Sequence, residues 1–407
     1  MYLPRALQDR WFDASQQFPV LLLTGPRQVG KTTLLRHAVD AERRYVTLDD
    51  PVLRGMANEE PALFLQRFPA PVLIDEIQYA PALLPYLKMA VDTERRPGAF
   101  WLTGSQQFHL MRGVSETLAG RIAIVHLLGF SNRERHQLPL DVPPLLPTPE
   151  MLTEREKSAA ETSLSRVYED IFRGSFPSLV AGPVTDRDLF YSSYLQTYLE
   201  RDVRDLAQVG NEAAFVRFLR ACAARTGQLL NLSELARDTG VQVNTAKSWL
   251  SILQTSFQVF LLQPYHTNLS KRLIKTPKLY FLDTGLCAYL TQWSSPETLE
   301  AGAMSGAIFE TYVLSELLKS WWHRMQAPEI YYYRDKDGRE IDFLLVKDGT
   351  LFPLEVKRSA SPHRDWTQVF SSLRRFSQPV GHGGVVCLYP QLLPLTADAT
   401  AVPVGLI

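Results

Sequence analysis

Short apolar runs separated by amphipathic stretches dominate the first third of the chain. PVLLLTG (19–25), PVLIDE (71–76), AFWLTGS (99–105) and RIAIVHLLGF (121–130) are predicted as buried strands, with RYVTLDD (44–50) as a further candidate. A helix is predicted from Lys31 to about Val39, and ALLPYLKMAVDTE fits another. Strands alternating with helices indicate a parallel sheet covered on both faces. The stretch 138–150 then places five prolines in thirteen residues and reads as a linker or irregular insertion.

Beyond it the period changes from strand-like to helical. Residues 189–209 carry an aromatic and aliphatic stripe, and AAFVRFLRACAARTG ends on a glycine where a helix would stop. Residues 232–256 read as two helices around a Gly-containing turn, followed by the strand-like FQVFLLQPY and KLYFLDT. The last hundred residues return to mixed α/β. A helix at 306–322 precedes strands at 330–335, 340–348 and 351–357, with another candidate at 383–389. No internal repeat is visible.

Composition narrows the class. With 407 residues, 45% apolar and 21% charged, the chain is expected to fold into two or three globular domains. Lys+Arg and Asp+Glu both number 43, so any nucleic-acid contact must come from a local basic patch. Three scattered cysteines without metal spacing predict reduced thiols. No signal-like or bilayer-length apolar run is visible, which predicts a cytoplasmic protein with no membrane partner.

The sharpest chemical signal is Gly25-Pro26-Arg27-Gln28-Val29-Gly30-Lys31-Thr32, followed by Thr33. It fits G-x-x-x-x-G-K-[ST] and lies between a strand and a helix, the context that confirms a phosphate loop. The glycines let backbone N–H groups face phosphates at the helix N-terminus. Lys31 is expected to meet the β- and γ-phosphates, and Thr32 to ligate Mg²⁺. Val72–Glu76 delivers two acids to a strand's C-terminal edge: Asp75 to hold Mg²⁺ directly or through water, and Glu76 to polarise the attacking water. Thr103 and Ser105 end the next strand with hydroxyls that could sense the γ-phosphate. Arg121 is either a nucleotide contact, in this or a neighbouring subunit, or a surface arginine.

TGPRQVGKTT (24–33), LIDEIQ (73–78), LTGS (102–105) and LAGR (118–121) together resemble a group of bacterial and archaeal AAA-type ATPases. YLQTYLERDV (194–203), TGQLLNLSELA (226–236), residues 269–286 and REIDFLL…LEVK (339–357) resemble the C-terminal domain of unknown function that accompanies that ATPase. The resemblance spans nearly the whole chain and implies an architecture and ATP binding more than a pathway.

Two further elements carry expectations. Residues 232–256 fit a helix-turn-helix, with Leu232, Leu235 and Ala236 against Trp249, Leu250 and Leu253. Asn244, Thr245, Lys247 and Ser248 would then face outward. The strands after it would form a wing carrying Lys271, Arg272, Lys275 and Lys278, suited to DNA phosphates beside Tyr265 and Tyr280. Winged helices also serve as packing modules. In the tail, Asp342 on one strand and Glu355 and Lys357 on the next resemble a restriction-endonuclease-like core. That resemblance implies a second divalent metal held by Asp342 and Glu355, Glu310 as an added acid, and Lys357 as the catalytic lysine.

The expected fold class is therefore α/β, in four parts. These are a P-loop AAA-type ATPase (1–138), a Pro-rich linker or insertion (139–164), a helical and winged-helix region (165–295), and a restriction-endonuclease-like domain (300–407). The expected function is an ATP- and Mg²⁺-dependent ATPase acting on double-stranded or branched DNA, with the capacity to cut it, and able to form a homo-oligomer. The alternatives are a nucleotide-dependent switch with an inert nuclease-like domain, and a transcription regulator using only the winged helix.

Overall fold

The computed structural model describes residues 2–104, 117–159, 163–198, 212–266, 276–335 and 337–407. The first sheet holds β1 (Val20–Thr24), β2 (Arg44–Thr47), β3 (Val72–Asp75), β4 (Phe100–Gly104) and β5 (Ile122–His126). They are ordered β2-β3-β4-β1-β5 and all pair in parallel. Every residue of β1, β3 and β4 is buried. That follows from cover on both faces, which is why these strands read as unbroken apolar runs.

Side chains alternate between two cores, as strand geometry requires. Leu21, Leu23, Leu73 and Trp101 pack with Trp11, Leu34 and Leu35 on one face. Val20, Leu22, Ile74 and Leu102 pack with Phe64, Leu83 and Leu87 on the other. The first of these cores continues through Tyr168, Phe215 and Leu253 to Phe309, Leu317 and Val402. The N-terminal sheet therefore shares one hydrophobic core with the rest of the chain.

The Pro-rich stretch is irregular but packed. Leu145 is fully buried, and the carbonyls of Pro139 and Pro143 accept from Arg133 and Arg155. Downstream, the helices Leu232–Thr239 and Val243–Thr255 flank Gly240, whose φ of 71° ends the first helix in the left-handed region. Leu235, Ala236, Trp249, Leu250 and Leu253 are buried between them. Beside them β6 (Gln228–Leu229), β7 (Val259–Leu262) and β8 (Lys278–Phe281) form an antiparallel sheet in the order β6-β8-β7. The expected wing residues Lys271, Arg272 and Lys275 lie outside the described residues.

The tail opens with the helix Ser305–Trp322. A six-stranded sheet follows, of β9 (Ile330–Arg334), β10 (Glu340–Lys347), β11 (Thr350–Lys357), β12 (Gly383–Cys387), β13 (Leu393–Thr396) and β14 (Ala399–Pro403). Its order is β13-β14-β12-β11-β10-β9. Strands β9 to β11 are antiparallel neighbours, whereas β12 runs parallel to both β11 and β14. Strands β13 and β14 were not expected from the sequence. Among the described residues no helix is long and apolar enough to cross a membrane.

One buried ion pair ties these parts together. Arg5 Nε lies 3.1 Å from Glu134 Oε1, and Nη1 and Nη2 donate to the carbonyls of Val29, Leu128 and Gly129. Glu134 also accepts from the N–H groups of Ala6 and Ser131. These bonds, with Arg5 and His323 nearby, hold its carboxyl far below the ordinary range despite burial that acts to raise it. Replacing Arg5 by Met should leave a buried carboxylate without its cation and cost about 3–5 kcal/mol. Chemical denaturation measures this, and a loss below about 1 kcal/mol would show that the pair is not holding the parts together.

Candidate functional site

The phosphate loop leaves β1 and enters the helix Lys31–Ala38 through two glycines that no other residue could easily replace. Gly25 has φ 152°, and a Cβ there would lie 2.0 Å from the Leu127 carbonyl oxygen. Gly30 has φ 89° at the helix N-cap. Gln28 adopts φ 61°, a strained setting for a residue with a Cβ. Lys31 is buried and donates to the carbonyls of Gly25 (3.0 Å) and Pro26 (2.6 Å), folding the loop around its own ammonium.

Asp75, at the end of β3, collects three hydroxyls. Its Oδ1 accepts from Thr32 at 2.8 Å and from Thr103, and its Oδ2 accepts from Tyr45 at 3.0 Å. Thr103 also accepts from the Glu76 N–H at 3.1 Å. Burial, then the Asp75 charge, pushes the Tyr45 phenol up to about 12, so it stays a donor. Glu76 sits at φ 60° and accepts from the Gln78 amide. Lys31, Thr32, Asp75 and Glu76 are thus brought to the C-terminal edge of the sheet.

One expected residue falls elsewhere, and one has no described position. Ser105 lies outside the described residues, and Thr103 is the hydroxyl of that strand that meets Asp75. Arg121 is at the opposite edge of the sheet: its carbonyl accepts from the N–H of Val20, the first residue of β1. Five residues of strand, roughly 13 Å, separate that end from the loop. Its guanidinium pairs with Asp92 at 2.5 and 3.0 Å and is no ligand of this chain's own loop.

Tyr45 escaped the sequence reading because nothing there said that β2 borders β3. Arg5, which grips the Val29 carbonyl at 2.9 Å, lies outside any motif. Beside the loop, a cavity of about 220 Å³ is lined by Tyr2, Leu3, Gly30, Thr33, Phe130 and Pro177. Tyr2 stacks on His37 with centroids 3.9 Å apart.

The tail gathers its expected residues around cations. Glu355 Oε2 lies 2.5 Å from Lys357 Nζ, and Asp342 Oδ2 lies 3.9 Å from it. The Val356 N–H donates to Asp342 at 2.8 Å. Glu310 accepts from Tyr280 (2.5 Å) and pairs with Lys278 (3.3 Å), which also meets Glu340 at 2.5 Å. Lys278, expected at the wing as a DNA contact, is instead buried and turned into this cluster. Among the described residues, no group of three or more His, Cys, Asp or Glu is placed to hold a metal ion. Asp342 and Glu355 thus meet Lys357, the lysine expected beside them, whereas Glu310 meets Lys278, which was expected at the wing. A cleft of about 590 Å³ opens beside Glu340, Glu355, Lys357 and Trp366.

Burial, then the Asp342 charge, pushes Glu355 up to about 8 and Glu310 up to about 7. Burial raises Asp342 as well. Groups whose folded pKa is raised hold protons more tightly when folded. Their contribution is complete below about pH 4.5 and is lost as pH rises through 7 to 8. The thermal midpoint should therefore fall between about pH 4.5 and 8, and Glu355→Gln should flatten that fall. Midpoints that track pH identically in both proteins would remove Glu355 from the titration.

Residues 17–136 match the family model of an AAA domain. Residues 165–297 and 305–407 each match a domain of unknown function, DUF8612 and DUF4143 respectively. An uncharacterized protein of Mycobacterium tuberculosis is 31% identical over 396 residues, covering 96% of this chain and 81% of its own. One of Mycobacterium bovis matches to the same extent. Among solved structures, a Walker-type ATPase of Pyrococcus abyssi is similar with a TM-score of 0.43 at 16% identity, covering 70% of this chain and 94% of that one. A Thermotoga maritima RuvB variant is similar with a TM-score of 0.30 at 18% identity, covering 63% and 86%.

Proposed function

The chain, an AAA domain followed by two domains of unknown function, belongs to the family of the two mycobacterial proteins, and we propose that it binds ATP with Mg²⁺ and hydrolyses it. The observation that carries this is the Thr32 hydroxyl on the Asp75 carboxylate at 2.8 Å, beside a lysine wrapped in the loop. Hydroxyl and carboxylate are hard oxygen donors of the kind Mg²⁺ takes, together with phosphate oxygens. When bound, the ion neutralises charge developing on the phosphates.

The chain's own residues do the rest. Lys31 exchanges the carbonyls of Gly25 and Pro26 for phosphate oxygens, and the N–H groups at the helix start face the same anion. Tyr45 and Thr103 fix the rotamer of Asp75, so its oxygens need no reordering when the nucleotide arrives. Glu76 is the base that orients and polarises water, with the Gln78 amide holding its carboxylate. The cavity lined by Tyr2, Phe130 and Pro177 takes the base and ribose. Lys31→Ala should abolish measurable ATP binding in calorimetric titration. Glu76→Gln should keep binding but slow turnover by about 10²–10⁴-fold. Unchanged affinity in folded Lys31→Ala would sink the assignment.

For the remaining domains we propose a nucleotide-dependent interaction module built on a winged helix and a nuclease-like core. The order β6-β8-β7 beside two helices supports the first, with Asn244, Lys247 and Ser248 exposed on the second helix. The order β9-β10-β11-β12 behind a helix supports the second. Lys278, buried between Glu310 and Glu340, favours a switch over a DNA-cutting enzyme, because it already neutralises the added acid that a metal site would use. The expected result is an ATPase rate that responds to duplex or branched DNA without cleavage of it. Mn²⁺-dependent cleavage that disappears in Asp342→Asn would restore the nuclease.

A further inference from the structure

One wall of the cavity beside the phosphate loop comes from the second domain. Pro177, Ser178, Ala181 and Gly182 line it together with Gly30 and Thr33, and all four lie within the 165–297 match. The helix on that wall, Pro177–Val180, is a single turn. A helix so short has no stability of its own, so its place is set by what holds its ends.

Ser175 holds it. The Ser175 carbonyl accepts from the Phe130 N–H at 2.8 Å, and Phe130 lines the same cavity. The approach is close: a Cβ on Gly129 would lie 2.1 Å from the Ser175 hydroxyl oxygen. On its other side Ser175 donates both its N–H and its hydroxyl to Oδ2 of Asp283, each at 2.7 Å. Oδ1 of Asp283 accepts from the Tyr191 hydroxyl and the Leu286 N–H, both at 2.8 Å, and the second bond caps the helix Thr284–Leu290. Burial, then the Asp283 charge, pushes the Tyr191 phenol well up, so it stays a donor. Four donors thus converge on one carboxylate and fix its orientation.

We propose that Asp283 is a positioning residue for the nucleotide, which through Ser175 sets the second-domain wall against which the base and ribose of ATP lie. This rests on the ATP reading above and extends it to a residue 108 positions from Ser175. Pro26 and Val29 of the loop share a cavity of about 20 Å³ with Asp283, but their carbonyls are held by Lys31 and Arg5. Asp283 should therefore act on the base end of the nucleotide and not on its phosphates.

Asparagine separates the two jobs of this carboxylate. Asn caps helices as well as Asp, so Asp283→Asn keeps an oxygen on Leu286 and turns its NH₂ group toward the donors of Ser175. The test is calorimetric titration of the full chain with ATP and with inorganic tripolyphosphate, which lacks base and ribose, both with Mg²⁺. Asp283→Asn should raise the Kd for ATP on the order of tenfold, as expected when one or two wall side chains must be reordered on binding. The Kd for tripolyphosphate should not change. If Asp283→Asn does not fold, Ser175→Ala removes one of the two bonds and should give the same selective weakening, about threefold. Unchanged ATP affinity in both variants, or equal weakening of ATP and tripolyphosphate, would overturn the positioning role and leave the ATP reading standing. A wild-type chain that binds neither ligand would overturn that reading, and the positioning role with it.

Discussion

The Arg5–Glu134 pair determines how the rest of the molecule can be arranged. Its guanidinium holds Val29 in the phosphate loop and two carbonyls after β5, and its carboxylate takes two backbone N–H groups from separate segments. Glu134 Oε1 lies 3.4 Å from Nδ1 of His323, just past the end of the long helix Ser305–Trp322. Neither charge could be buried alone, so the N-terminal segment, the loop and that helix must assemble together. The loop's backbone is therefore set before any ligand arrives, which reduces the ordering cost of binding.

Much of the N-terminal domain was legible because its signals are local. Three buried strands, the glycines of the loop and the paired acids of Asp75 and Glu76 are properties of a few adjacent residues, whereas β5, also expected to be buried, is an edge strand and mostly half-buried. The face shared by Glu355 and Lys357 was legible for the same reason, since strand alternation is fixed by the backbone. What stayed hidden depends on which elements become neighbours. Tyr45 reaches Asp75 only because β2 borders β3, and Arg121 misses the loop because it precedes β5 rather than following it. Lys278 read as a basic wing residue because sequence proximity put it beside Lys271 and Arg272. Its partners, Glu310 and Glu340, lie more than thirty residues away along the chain.

The Pro-rich stretch shows the same limit from the other side. Five prolines remove backbone donors and prevent regular pairing, so its irregularity was readable. Its burial was not, because the cover comes from Arg133 and Arg155 capping its carbonyls and from Leu145 entering the shared core. A segment without secondary structure must still satisfy its buried carbonyls. Here the long cationic side chains of Arg133 and Arg155 meet part of that demand.

The helix Ser305–Trp322 joins two very different electrostatic environments. At one end Glu316 and Lys319 pair at 2.7 Å and lock onto Asn132 and Phe130 of the N-terminal half. At the other, Glu310 and Glu355 both feel the Asp342 charge, and burial has raised the proton affinity of all three carboxyls. Glu310 and His323 are thirteen residues apart, roughly 20 Å along a helix. A nucleotide can act on a distant site only by favouring one of two arrangements that differ in energy. The end fastened to the N-terminal half is well satisfied and has little to gain by moving. The carboxylate end holds the charges most easily rearranged, by a proton, a lysine or a new partner. Any signal carried along this helix should therefore be released at Glu310 and Lys278, while the Arg5–Glu134 pair stays intact.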